Sequence, residues 1–471
     1  MADGEIWTWD AAATAAAIRA RKVSSNEAVA AALARLDAVN PAINAVVETL
    51  ADEALAAAKH ADAILVQESD VGPLHGVPVT AKINVDLAGH ATTLGLASLK
   101  NAIAASDSAP VANLRRAGAI IIGRTNVPAF SYRWFTGNDL HGVTRNPWNP
   151  SLSPGGSSGG AAAATAAGIG AFGHGNDVAG SLRLPASACG IYGMRPTVGR
   201  LPTYNPSMPN EPSLCIQIGV TEGVLARTVR DLRLGIEALS RIDRRDPLHM
   251  PVAAPGLAES MPCRVALFTG EAAFATAPEV ATTVRKAGRW LEEAGYVVEE
   301  IGPPRLAEMA ELWMGLLYAE SSGSIRDTMF SMSDEAFRRS FRDTAANVPV
   351  FDALTAYHGW ERRLAIQREW NAFLERYPIL LMPTSFQPTF PIDHDQQGAE
   401  VLANILRAFT PLSSTAGLAL PAVAVPAGTA GGAPAGVQLV AGRFRDERCL
   451  AAAAILEERI GKVRPIDPVR S

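Results

Sequence analysis

The chain has 471 residues, of which 48% are apolar and 19% charged, and a formal net charge of −5. This is the composition of a folded globular protein, long enough for two to four domains or for one large α/β core. The weak acidic balance offers no clustered Lys and Arg to neutralise phosphates, so nucleic acid is not an expected partner, and the short basic run Arg241, Arg244 and Arg245 reads as solvated surface.

The N-terminal stretch predicts two helices. Asp10–Arg21 is rich in Ala, and Ser24-Ser25-Asn26-Glu27 offers a capping box ahead of the helical periodicity of Ala28–Val39. Another Ala-rich helix is expected over Leu50–Ala63, then a β-branched strand over Val77–Val85. Ala109–Ala117 and Ala119–Ile122 read as a helix and a buried parallel strand, the strand bounded by Gly118 and Gly123. The Ser/Gly run Ser153–Gly160 leads into helix-forming Ala161–Ala167. Arg227–Leu239 predicts a helix, and Arg264–Phe268 and Val297–Ile301 predict strands flanking the helix Pro278–Ala294. Residues 305–374 are helical and rich in Trp and Phe. Ile379–Met382 and Pro421–Val425 are short apolar strands, and Gly428–Pro434 reads as a surface turn. Alternating strands and helices argue for an α/β sheet with covered faces. There is no internal repeat and no linker rich enough to divide the chain into domains.

Other classes find little support. The four cysteines, Cys189, Cys215, Cys263 and Cys449, are scattered without a CxxC pair or zinc spacing, which fits buried thiols in a reducing cytoplasm. No His lies in an HExxH frame, so neither a metal nor a cofactor is expected. Met1–Asp10 lacks a basic region followed by an apolar core, so no signal peptide is expected. The apolar run Ala161–Phe172 is too short to span a bilayer, so no membrane is expected as a partner.

Three segments carry candidate chemistry. Gly155-Gly156-Ser157-Ser158-Gly159-Gly160 precedes a helix, where backbone N–H groups point at whatever lies in front of them. In Gly175-Asn176-Asp177-Val178-Ala179-Gly180-Ser181 small residues precede a Ser, a sharp turn that can converge N–H donors. Either loop alone reads as a tight turn with a capping Ser. Lys82 ends the apolar strand that follows Gly72-Pro73-Leu74-His75-Gly76. A lysine there is either a snorkelling surface residue or, facing inward, a base whose pKa burial has lowered.

Taken in order, GPLHGVPVTAK, SPGGSSGG and GNDVAGSLRLPA resemble the amidase signature family. The resemblance extends to Gly123–Pro128, Asn146–Pro150, Gly193–Ala226 and Thr415–Gly442, close to the whole chain, with residues 72–200 holding the signature core. It implies one α/β/α domain over residues 1–471, around a mixed, twisted sheet. It also implies a Ser–cis-Ser–Lys triad on Ser181, Ser157 and Lys82, and an oxyanion site from the N–H groups of Val178, Ala179, Gly180 and Ser181. The attacking hydroxyl of Ser181 needs a base within reach, and neutral Lys82 would supply it through Ser157. Asp177 and Arg183 are expected to pair and brace the loop. Ser158 is expected either to hydrogen-bond Lys82 or to cap the helix.

Three positions depart from the family's commonest pattern: Ile83 where Asp or Glu is frequent, Ala179 where Gly is usual, and Val224 where Pro is usual. Ala179 still supplies an N–H, and Ile83 removes a negative neighbour that would favour a charged lysine. The resulting expectation is hydrolysis of a small-molecule amide through a Ser181 acyl-enzyme, with no other partner, as a cytoplasmic monomer or homodimer. The alternatives are carbamate or ester hydrolysis by the same route, the glutamine-hydrolysing subunit of an amidotransferase, and a non-catalytic scaffold. Tyr132, Trp134 and Phe135, together with Trp313 in the divergent helical region 305–374, are candidates for an apolar substrate pocket; ordinary core packing is the competing role. The loop Pro202–Pro212 is either a shaper of the entrance or a plain surface connection.

Overall fold

The computed structural model describes residues 5–67, 70–208, 211–252 and 263–469. Residues 1–4 of the Met1–Asp10 segment and 209–210 of the Pro202–Pro212 loop lie outside them. The strands, in chain order, are β1 Val46–Thr49, β2 Pro78–Lys82, β3 Ile120–Thr125, β4 Gly137–Asn138, β5 Gly142–Val143, β6 Phe172–Asp177 and β7 Tyr192–Arg195. They continue with β8 Thr221–Ala226, β9 Arg264–Leu267, β10 Val297–Glu300, β11 Ile379–Pro383, β12 Ala422–Ala430 and β13 Ala433–Val440. Among the described residues, eleven of these form one sheet in the order β1-β3-β2-β6-β8-β7-β12-β13-β11-β9-β10. The sheet is mixed: β2 runs parallel to β3 and β6, whereas β6 and β7 run antiparallel to β8. The α/β fold with helices on a large mixed sheet is therefore as expected.

Strand alternation divides the core. Ile379 and Leu381 of β11 enter one apolar cluster, and Leu380 and Met382 enter another on the opposite face. Val265 and Leu267 of β9 join the first cluster and Ala266 the second. Strands buried on both faces read as unbroken apolar runs, which is why β3, β9 and β11 are legible in the sequence.

Most predicted helices are present with small shifts in their ends. The capping box forms: Ser24 Oγ accepts from the Glu27 N–H, and the Glu27 carboxylate accepts from the Ser24 N–H, at the start of helix Ser25–Ile43. The 305–374 region folds as the helices Leu306–Glu320, Gly323–Met332, Glu335–Ala345 and Ala353–Arg376. Helix Gly159–Ala166 is buried along its whole length, as a helix small and apolar on all sides must be. Among the described residues no helix is long and apolar enough to cross a membrane.

Two expectations about strands need correction. Gly428–Pro434 is not a surface turn: β12 runs to Ala430 and β13 starts at Ala433, leaving only Gly431 and Gly432, both at positive φ, as a two-residue hairpin turn. Val77–Val85 contracts to β2 Pro78–Lys82, because the Val85 N–H folds back onto the Lys82 carbonyl. Strand β6 escaped prediction because FGHGND has neither apolar alternation nor β-branched residues; the neighbouring strands β2 and β8 impose its conformation.

Candidate active site

Strands β2 and β6 lie side by side and present their ends to one cavity. Lys82, the last residue of β2, is fully buried. Its Nζ donates to Ser157 Oγ at 2.8 Å and to Asn176 Oδ1 at 2.7 Å, and neither acceptor carries a charge. Burial lowers the pKa of this lysine to about 7, against the more distant pull of Glu222 and Asp177. His174 and Asn176 share one face of β6, as alternate strand residues do. The Lys82 backbone N–H meets His174 Nδ1 at 3.4 Å, which leaves the ring proton on Nε2, 2.8 Å from Glu222.

Ser157 sits at the mouth of helix Gly159–Ala166, after a cis Gly156–Ser157 peptide. Gly156 leaves no room for a side chain: a Cβ there would lie 2.6 Å from the Trp134 carbonyl carbon. Ser158 fulfils neither of its expected roles. Its hydroxyl donates to the Asn176 carbonyl at 3.3 Å, and its backbone N–H donates to the Ser181 carbonyl at 3.2 Å. With Asn176 Oδ1 already on Nζ, Ser158 ties the Ser157 and Ser181 loops together instead of hydrogen-bonding Lys82 or capping the helix.

The loop after β6 wraps around the Asp177 carboxylate. Asp177 accepts from the Gly180 N–H at 2.7 Å, the Leu182 N–H at 3.2 Å and Arg183 Nε at 3.0 Å, with Arg195 also in contact. Burial opposes the charge, but Arg183, Arg195 and these hydrogen bonds outweigh it and hold the carboxyl well below the usual carboxylate range. Asp177 and Arg183 thus pair inside the protein, and Arg183 continues to Thr415, Gln438 and the Leu412 carbonyl.

This pairing changes the expected oxyanion site. The Gly180 N–H is engaged by Asp177, so Gly180 is not an available donor. Gly180 instead supplies backbone geometry: its φ of +107° favours glycine, and a Cβ would lie 2.7 Å from Leu412. Among the described residues, the N–H groups of Val178, Ala179 and Ser181 make no hydrogen bond, and these three residues line the cavity.

The cavity has a volume of about 760 Å³ and takes in Ser157, Asn176 and Ser181 at one end. Tyr132, Trp134 and Phe135 line it. Met314, Leu317 and Tyr318 from helix Leu306–Glu320 form part of its wall, and Thr203–Pro206 of the Pro-rich loop reach it as well. Trp313 does not line it. Its position on the helix turns the ring into the core, where it is fully buried and its indole N–H donates to the Val178 carbonyl at 2.9 Å. Trp134 does both: it lines the cavity and donates its indole N–H to the Ala179 carbonyl at 2.9 Å. Among the described residues, no group of three or more His, Cys, Asp and Glu is placed to hold a metal ion.

Asn176, Asn84, His174, Glu222 and Arg195 were not assigned a role from sequence, yet they surround the lysine and the loop. Asn84 Nδ2 donates to Asn176 Oδ1 at 3.2 Å, the oxygen that Lys82 also uses. A strand assignment for Phe172–Asp177 would have placed His174 and Asn176 on one face, and that was the available signal.

Comparison with known proteins identifies the chain at the level of family. The model of the Amidase family matches residues 27–450. An indoleacetamide hydrolase from Bradyrhizobium diazoefficiens is 40% identical over 97% of this chain and 88% of its own length. A glutamyl-tRNA(Gln) amidotransferase subunit from Moorella thermoacetica is 30% identical over 93% of this chain and 94% of its own. The structure of a bacterial aryl acylamidase of the amidase signature family superposes with a TM-score of 0.81 at 28% identity, covering 96% of each chain. The chain belongs to the Amidase family. It is an enzyme that acts on carbon–nitrogen bonds other than peptide bonds, in linear amides.

Proposed function

We propose that the protein hydrolyses carboxamides with an aromatic acyl group through a Ser181 acyl-enzyme, using Lys82 and Ser157 as the proton relay. The observation that carries this reading is the fully buried Lys82, with only neutral partners on Nζ and Ser157 Oγ 2.8 Å away, at the end of a cavity that also holds Ser181. A lysine with a pKa near 7 is neutral in a large fraction of molecules at neutral pH, so its nitrogen has a lone pair for the Ser157 proton. Asn176 and Asn84 keep that nitrogen in register without adding charge.

In the proposed reaction Ser181 Oγ attacks the amide carbon while its proton passes to Ser157 Oγ and that of Ser157 passes to Lys82 Nζ. The N–H groups of Val178, Ala179 and Ser181 are the donors for the resulting oxyanion. As the C–N bond breaks, Ser157 returns a proton to the departing nitrogen and recovers one from Lys82. Water then attacks the ester of Ser181 by the same relay, releasing the acid. Asp177 and Arg183 are structural in this scheme.

Aromatic side chains at Tyr132, Trp134, Phe135 and Tyr318 support an aryl acyl group, and the volume of about 760 Å³ suits a molecule much larger than acetamide. The 40% identical relative is named for hydrolysis of indoleacetamide, a compound of this kind. The test is the specificity constant for indole-3-acetamide, an anilide, a phenyl carbamate, acetamide and glutamine on one preparation. The aryl amide should lead. A lead for the carbamate would reassign the enzyme to urethane hydrolysis, and a lead for glutamine would favour the amidotransferase relatives. No turnover together with no labelling of Ser181 by a fluorophosphonate would leave a non-catalytic scaffold.

A further inference from the structure

Two tryptophan N–H groups hold consecutive carbonyls of the loop before Ser181, Trp313 on Val178 and Trp134 on Ala179. In a trans peptide the C=O and the following N–H point in opposite directions. A donor fixed on the Val178 carbonyl therefore aims the Ala179 N–H the other way, and Ala179 lines the cavity. The second peptide behaves differently: its N–H, that of Gly180, already donates to Asp177 at 2.7 Å. Of the two, only the peptide that Trp313 holds has an N–H without a partner among the described residues.

The Trp313 ring has little freedom. A Cβ on Gly219 would lie 2.3 Å from it, and a Cβ on Gly417 would lie 2.9 Å from its base, so the side chain sits between two positions that only glycine can fill. The Gly219 carbonyl accepts from Arg195, the guanidinium that also meets Asp177. A hydrogen bond to a peptide carbonyl also polarises that peptide and strengthens its N–H as a donor.

We infer that Trp313 is a positioning residue for catalysis: its indole N–H orients and polarises the Val178–Ala179 peptide so that the Ala179 N–H meets the oxyanion. The inference rests on the Ser181 mechanism proposed above. Trp313 shares its helix with Met314, Leu317 and Tyr318, which line the cavity, so one helix carries both the substrate wall and the brace for the oxyanion donor.

The test removes the N–H while keeping the ring buried. Trp313→Phe is one variant; replacement of Trp313 by 3-benzothienylalanine, in which sulfur stands for the indole N–H, is the second and keeps the shape should the first fold poorly. Trp370→Phe is the control, a fully buried tryptophan whose indole nitrogen has no hydrogen-bond partner among the described residues. Both changes at position 313 should lower kcat on indole-3-acetamide by about 10- to 100-fold with KM little altered, below the cost of deleting an oxyanion donor outright. Affinity for an aryl trifluoromethyl ketone, which forms a tetrahedral Ser181 adduct, should fall by the same factor as kcat/KM, while affinity for the carboxylate product stays constant. Trp370→Phe should leave all three quantities near wild type. Wild-type-like turnover in the 3-benzothienylalanine enzyme, or equal losses for ketone and product, overturns the inference. A wild-type enzyme that a fluorophosphonate does not label at Ser181 overturns the mechanism itself, and this inference with it.

Discussion

The hydrogen-bonded network around Lys82 and Asp177 and the aromatic wall of the cavity are held by different forces. In the network, Lys82, Asp177 and Arg183 are buried and each polar group has a named partner within hydrogen-bond reach. Tyr132 and Tyr318 of the wall pack ring against ring with Phe337 and Phe341, with centroids 4.8 Å apart for Tyr318 and Phe341 and 5.7 Å for Tyr132 and Phe337. Hydrogen-bonded charge networks are directional, and removal of one member strands the others, so they tolerate little change. Apolar packing tolerates exchange of shape at nearly constant volume. In the proposed mechanism this difference separates chemistry from selectivity: reaction geometry is assigned to strand ends and tight loops, and substrate choice to helices that can vary around them.

The most severe break should come at Ser181. Ser181→Ala should reduce kcat by roughly four orders of magnitude or more and abolish fluorophosphonate labelling, as read by mass spectrometry of the intact protein and its peptides. Labelling that persisted at Ser157 would move the nucleophile to the neighbouring loop.

Lys82 gives the next largest effect and a pH signature. In the proposed relay its neutral form is the active one, so kcat/KM should be low below pH 7, rise as the lysine loses its proton near pH 7, and level off above. Lys82→Arg should lose several orders of magnitude at every pH, because a guanidinium stays protonated. Near-normal turnover by that variant would rule out the relay. Asn176→Asp sharpens the same point: a carboxylate 2.7 Å from Nζ favours the charged lysine, so the acid limb of the profile should move to higher pH. An unmoved limb would mean that the titrating group is not Lys82.

The wall should respond by substrate and not across the board. Tyr318→Ala should lower kcat/KM for indole-3-acetamide by about 1–3 kcal/mol in transition-state terms and leave acetamide nearly unaffected. Equal losses on both substrates would show that the wall also supports the chemistry, and the contrast between the two regions would fail.

Legibility followed the same division. The ordered motifs around Lys82, Ser157 and Ser181 are local, because each needs particular residue types at adjacent positions: small residues for a tight turn, hydroxyls for transfer, a lysine at a strand end. Helices with clear caps, such as Ser25–Ile43, and strands with unbroken apolar runs, such as β11, were equally plain. Strand β6 was not, since Phe172-Gly173-His174-Gly175 carries no periodic signal and owes its conformation to the strands beside it.

What the sequence determined by itself was the α/β class, the family and the residue types on which its chemistry depends, since these are properties of short segments and their order. The tertiary structure alone decided which groups met. It placed Asn176 instead of Ser158 on Lys82, gave the Gly180 N–H to Asp177, and turned Trp313 from the pocket into the core. Each outcome depends on partners distant in the chain or on the direction of a single N–H, and neither is written in residue spacing. A backbone donor has one direction, and only the packed fold fixes what lies along it.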